Sequence, residues 1–146
     1  MSALTGKHVL VLGLGESGLA MARWCALRGA RVRVADSRAV PPGVDALKAD
    51  APLAEIFMGS FGDEVLDGVD LVALSPGLDP RVGVAAQARR RGLPLTGEMS
   101  LLAQALDELG VRAQTRILAI TGTNGKTTTT ALTAALAQSA GLDAVA

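Results

Sequence analysis

Lys126 and Thr127 stand behind two glycines at a spacing that suits phosphate chemistry. The stretch Thr121-Gly122-Thr123-Asn124-Gly125-Lys126-Thr127-Thr128 sits where the apolar run Ile117, Leu118, Ala119, Ile120 gives way to a helix-like segment. Glycines there let the backbone turn tightly around an anion with its N–H groups facing inward, and the N-terminus of the following helix adds partial positive charge. Residues 122–128 (Gly122, Thr123, Asn124, Gly125, Lys126, Thr127 and Thr128) therefore read as a phosphate-binding loop. Lys126 is placed to reach the β- and γ-phosphates, and the Thr127 hydroxyl to hold Mg²⁺; these two are the candidate catalytic residues, and Thr127 the candidate metal ligand. The position five before Gly125 is Ile120, not glycine, so the loop follows the tighter G-x-x-G-K-T-T form. The competing structural reading is a polar turn capping a helix rich in threonine. Glycine, lysine and hydroxyl falling together at a strand-to-helix junction favour the phosphate loop.

A second constellation lies near the start. Gly13-x-Gly15-x-x-Gly18 follows a short apolar run, and Asp36 closes the next one, as in a dinucleotide-binding fingerprint. Glu16 argues mildly against a nicotinamide or flavin cofactor, because it sets a carboxylate beside a pyrophosphate unless it points outward. A glycine turn needed only for helix-on-strand packing is the structural alternative. The functional reading is a site for a nucleotide diphosphate: backbone N–H groups from Gly15, Glu16, Ser17 and Gly18, with the Ser17 hydroxyl, hold the phosphates, and Asp36, Ser37 and Arg38 meet the other end of the ligand.

Positioning these loops requires alternating strands and helices. The pattern predicts strands over 8–12, 31–35, 54–58, 69–74 and 93–95. Helices follow after Gly18, over 44–49, over 81–91 and over 98–109, with Pro41-Pro42-Gly43 and Ser75-Pro76-Gly77 as turns. Repeated β-then-α units imply an α/β fold: a Rossmann-like, doubly wound parallel sheet with ligands at the carboxyl ends of its strands. A second unit is expected to begin near Gly110. It would comprise a strand over 116–120, the phosphate loop and a helix over 126–140, capped by Gly141, with 143–146 starting one more strand. The expected division is residues 1–110 and residues 111–146, the latter an incomplete α/β domain.

Composition narrows the function. Fourteen basic residues balance fourteen acidic ones, and Trp24, Phe57 and Phe61 are the only aromatics, so neither the charge nor the stacking surface of a nucleic-acid binder is present. No stretch reaches the roughly 18 apolar residues of a membrane span and the N-terminus has no leader pattern, so a cytoplasmic protein is expected. Cys25 has no partner for a disulfide and lies in the apolar pattern of a helix. His8, the single histidine, is expected at a surface or sheet edge, and Arg89, Arg90 and Arg91 on a solvated helix face.

Gly-Leu-Gly-Glu-Ser-Gly, Ala-Asp-Ser-Arg before Pro-Pro-Gly, Leu-Ser-Pro-Gly and Thr-Gly-Thr-Asn-Gly-Lys-Thr-Thr occur here in that order. Over its whole length the chain resembles the Mur ligases, and within them the MurD type that adds D-glutamate. The resemblance implies an N-terminal domain that is Rossmann-like but binds the UDP part of a sugar nucleotide. Glu16 and Ser17 would lie nearest the diphosphate, Asp36, Ser37 and Arg38 around the uracil, and Ser75 and Gly77 along the same cleft. It also implies an ATP-dependent ligase acting on UDP-N-acetylmuramoyl-L-alanine and D-glutamate through an acyl phosphate in peptidoglycan synthesis, with ATP and Mg²⁺, monomeric at full length. Such an enzyme needs a central and a C-terminal domain, so residues 1–146 alone are expected to be inactive. Two other readings stay open: an NAD-dependent oxidoreductase domain, with Asp36 on the adenosine ribose, and a non-catalytic UDP-binding module.

Overall fold

The computed structural model describes residues 2–146. It divides into two compact units, one ending at Arg112 and the other running Ala113–Ala146.

The first unit contains β1 (His8–Leu12), α1 (Glu16–Leu27), β2 (Arg31–Asp36), α2 (Val44–Asp50), β3 (Glu55–Met58), β4 (Leu71–Leu74), α3 (Gly83–Arg90), β5 (Leu95–Gly97) and α4 (Glu98–Glu108), with a short 3-10 helix over Asp63–Leu66. The strands form one parallel sheet in the order β3-β2-β1-β4-β5. The chain winds outward from β1 to β3 and then crosses back to β4, so the order reverses beside β1. In a parallel sheet that reversal leaves a crevice above the carboxyl ends of the two diverging strands, here β1 and β4.

All five residues of β1 are buried because helices cover both faces. Side-chain alternation sends Val9, Val11, Val32, Val34 and Ala73 to one face, against Met21, Ala22 and Cys25 of α1 and Leu47 of α2. Leu10, Leu12, Ala35 and Val72 point to the other, against Val65, Leu66 and Ala85 and Ala88 of α3. Each valine or leucine fully withdrawn from water in this way stabilises the fold by about 1.5–3 kcal/mol. The turn between β1 and α1 is thereby held on a rigid central strand.

Three expectations are corrected. His8 is buried, at 4% exposure, rather than at an edge. Its backbone N–H donates to the Asp70 carboxylate at 2.8 Å and its Nδ1 to the Gly68 carbonyl at 3.0 Å, so the loop before β4 closes over it. The fifth strand begins at Leu95, not Leu93, because the Leu93 N–H is taken by the Ala88 carbonyl at the end of α3 and Pro94 has no N–H to give. The strand expected over 116–120 does not form, nor does one over 143–146. A strand's polar backbone is satisfied by its neighbours, and among the described residues none pairs with either segment.

In the second unit α5 (Lys126–Ser139) follows the glycine-lysine loop, and no residue of Ala113–Ala146 is buried. Leu132 and Leu136 on α5 are exposed.

Candidate nucleotide-binding site

Three loops meet at the carboxyl ends of β1, β2 and β4. The first is Gly13 to Gly18. Gly13 has φ +85°, and the Ser75 hydroxyl at the end of β4 donates to its carbonyl at 3.1 Å. A side chain at Gly18 would put its Cβ 1.9 Å from the Gly13 carbonyl oxygen, so only glycine lets α1 start this close to β1. Around Gly15, by contrast, nothing lies within 4 Å of a Cβ position, and the backbone there opens to solvent. Glu16 begins α1 and is exposed, with its charge favourably placed at the helix N-terminus.

Asp36 ends β2 and is 5% exposed. Its carboxylate accepts four hydrogen bonds: the Leu14 N–H at 2.7 Å and Arg38 Nη2 at 2.5 Å on Oδ2, and the Arg38 N–H at 2.8 Å and Nε at 2.9 Å on Oδ1. The Arg38 side-chain hydrogen bonds hold this carboxyl far below the usual carboxylate range, helped by the Leu14 and Arg38 N–H groups and opposed by burial. A carboxylate offers about four acceptor positions, so Asp36 is saturated from within the chain. It ties the glycine loop to the turn after β2. Arg38 and Ser37 remain exposed, with half of the Arg38 side chain open to solvent. Gly77 is exposed on the turn after β4.

One contact had no counterpart in the sequence reading. The Ser17 hydroxyl donates to Glu98 Oε2 at 2.7 Å. Glu98 opens α4 directly after β5, so it stands at the same end of the sheet as the glycine loop; its place after a strand end was the available signal. The structure thus brings together Gly15, Glu16, Ser17, Gly18, Asp36, Arg38 and Ser75 by direct bonds or chain continuity, and adds Glu98. Arg89 is exposed on α3, as the solvated-face reading expects. A separate apolar hollow of about 500 Å³ lies at the opposite end of the sheet, lined by Leu27, Val32, Ala51 and Leu53, where Arg23 pairs with Asp50 and Arg31 with Glu55.

In the second unit, Gly125 has φ +76° immediately before α5, a backbone state in which other residues are strained. The turn aims the free N–H groups of the first helical turn at the loop. Lys126 Nζ donates to the Gly122 carbonyl at 2.6 Å, folding the lysine over the loop. Farther along the helix, Thr130, Thr133 and Ser139 return their hydroxyls to carbonyls four residues back. Among the described residues no such bond ties the Thr127 or Thr128 hydroxyl. The loop's hydroxyl, lysine and N–H groups fit a magnesium-bound phosphate. Among the described residues no cluster of three or more His, Cys, Asp or Glu side chains could hold a metal by itself, and no helix is long and apolar enough to cross a membrane.

This fold and glycine loop define a class. Residues 7–97 match the model of the Mur ligase MurD-like N-terminal domain, and the chain belongs to that family. Along all 146 residues it is 88% identical to the UDP-N-acetylmuramoylalanine–D-glutamate ligase of Aromatoleum aromaticum, of which it spans 31%. It is 54% identical over 138 residues, 91% of this chain, to the enzyme of the same name from Paraburkholderia phymatum, spanning 27% of it. The chain thus spans less than a third of the length of these curated relatives. Among solved structures, it is similar to a murein peptide ligase from Psychrobacter arcticus, with TM-score 0.61 and 28% identity over 94% of this chain and 28% of that one. A ligase from Neisseria meningitides acting on UDP-N-acetylmuramate and a tripeptide gives TM-score 0.60 and 26% identity over 94% of this chain and 41% of that one.

Proposed function

We propose that this chain is the UDP-substrate-binding part, with the ATP loop, of an ATP-dependent ligase that adds D-glutamate to UDP-N-acetylmuramoyl-L-alanine in peptidoglycan synthesis. The observation that carries the proposal is the 88% identity along every residue to a ligase of that name, with the glycine loop, Arg38 turn and phosphate loop all in the matched span. The oxidoreductase reading loses its main support in Asp36. A dinucleotide ribose needs that carboxylate as a free acceptor, and here it is already saturated.

In this reading the backbone N–H groups from Gly15 to Gly18 receive the diphosphate, and Ser37 and Arg38 present donors to the uracil end. The carboxylate of the substrate's alanine attacks the γ-phosphorus of ATP; the bond to the bridging oxygen breaks, ADP leaves and an acyl phosphate forms. The amine of D-glutamate then adds to the acyl carbon, loses a proton, and inorganic phosphate departs as the amide forms. Lys126 stabilises the charge that builds on the transferring phosphoryl group, and Thr127 offers the oxygen that would hold Mg²⁺. Bound there, Mg²⁺ would neutralise phosphate charge. In this reading the full-length protein acts as a cytoplasmic monomer, and residues 1–146, which span less than a third of the relatives' length, do not catalyse ligation by themselves.

The test is ADP release by the full-length protein with ATP, Mg²⁺, UDP-N-acetylmuramoyl-L-alanine and D-glutamate. Lys126→Ala should lower turnover by at least about a hundredfold while leaving UDP-sugar affinity little changed. Turnover that depends on neither D-glutamate nor Lys126 would refute the proposal.

A further inference from the structure

We propose that Glu98 is a specificity-determining residue of the uridine site, selecting the diester diphosphate of a sugar nucleotide over a free nucleoside diphosphate or triphosphate. The inference rests on the reading of the glycine loop as a UDP-sugar site. Its basis is the bond from the Ser17 hydroxyl to Glu98 Oε2, 2.7 Å long, between residues 81 positions apart. A serine hydroxyl carries one proton, and here Glu98 takes it. Ser17 then faces the loop with lone pairs only, and an anionic phosphate oxygen, itself an acceptor, gains nothing from it in this state. Glu98 occupies on Ser17 the place that such an oxygen would take.

The second consequence is electrostatic. No Lys, Arg or His side chain forms an ion pair with Glu98 among the described residues. The nearest helix start on the loop contributes another carboxylate, the exposed Glu16. The loop's N–H groups and the α1 N-terminus attract an anion, while Glu98 penalises each additional negative charge brought beside Ser17. A UDP-sugar has one charge on each phosphate. Free UDP carries a further charge on its terminal phosphate above about pH 6, and UTP more still. A fixed, unpaired carboxylate at this position therefore discriminates by the number of phosphate charges, which neutral N–H donors cannot do.

The experiment measures, by calorimetry on the 146-residue chain at pH 8, the affinities for UDP-N-acetylmuramoyl-L-alanine, UDP and UTP, in the wild type and in Glu98→Gln. Glutamine keeps the length and an acceptor for Ser17 but removes the charge. The expected result is that the preference for the UDP-sugar over UDP narrows by about three- to tenfold in the variant, with UTP gaining more than UDP. As a check that needs no substitution, the wild-type preference should also narrow as salt rises from about 0.05 to 0.5 M, because screening shortens the reach of the carboxylate. An unchanged or widened preference in Glu98→Gln, or equal loss for all three ligands, overturns the role of Glu98 while leaving the uridine site standing. Failure of the wild-type chain to bind any of the three uridine nucleotides overturns the underlying reading and this inference with it.

Discussion

The Asp36 carboxylate at the end of β2 accepts the Leu14 N–H at 2.7 Å, joining the turn after the second strand to the middle of the glycine loop after the first. Both partners are buried. The same carboxylate holds Arg38 by its backbone and its guanidinium. Asp36 thus sets both the loop and the arginine, and in the proposed function it would act on binding through them.

Asp36→Ala leaves the Leu14 N–H buried without a partner, which costs about 1–3 kcal/mol of stability. Uridine-nucleotide affinity should fall with it, and the loss should be larger than for Arg89→Ala on the exposed face of α3. Thermal melting and calorimetry on the two variants check this; equal affinity losses would contradict the assignment.

The pH dependence of stability follows from the same group. Its folded-state pKa is depressed, mainly by the Arg38 side chain. Such a carboxyl adds stability at pH values above its unfolded pKa of about 4, and that stability disappears as the pH falls below it toward the folded value. Asp36→Asn should flatten the acid limb of a plot of melting temperature against pH below about 4. A limb as steep as in the wild type would place the acid sensitivity elsewhere.

Gly18 and Gly15 provide a contrast within one motif. Gly18→Ala forces a methyl into the Gly13 carbonyl, at 1.9 Å before any relaxation, and overpacking of this kind costs about 1–3 kcal/mol or more. Gly15→Ala meets no atom within 4 Å. The first should lower the melting temperature by several degrees, whereas the second should leave it nearly unchanged and weaken UDP-sugar binding, because in the proposed function the added methyl would stand where the diphosphate approaches. Equal melting temperatures for the two variants would show that the loop relaxes freely.

Cys25 is fully buried in α1 against the sheet, and desolvation pushes its thiol up to about 11. The native protein should react slowly with thiol reagents at pH 8 and quickly once unfolded. With a folded pKa above the unfolded one, the stability this group confers is complete below the unfolded value, near 8.5, and is lost as pH rises toward about 11. Rapid labelling without loss of structure would mean that α1 opens locally.

Much of the first unit was legible because alternating β and α segments have different periods and lengths. The short β-branched and leucine run over 8–12 read as a strand, as found, and Gly13-x-Gly15-x-x-Gly18 marked the turn that follows it. Contacts between residues distant in sequence were not legible. Nothing local to Ser17 points to Glu98, and nothing local to His8 announces that Gly68 and Asp70 will cover it. The internal bonds of Asp36 were not legible for a related reason: a fingerprint supplies the acidic residue but not the arginine two places later that bonds to it. The segment over 116–120 has the composition of a strand, yet strand formation depends on a neighbour that composition cannot supply.

The most direct test of the account is calorimetric titration of the 146-residue chain with UDP-N-acetylmuramoyl-L-alanine and, separately, with NADH. The account predicts saturable binding of the UDP-sugar, weakened by Gly15→Ala and by Arg38→Ala, and no measurable heat from NADH. Tight NADH binding with no response to the UDP-sugar would contradict it.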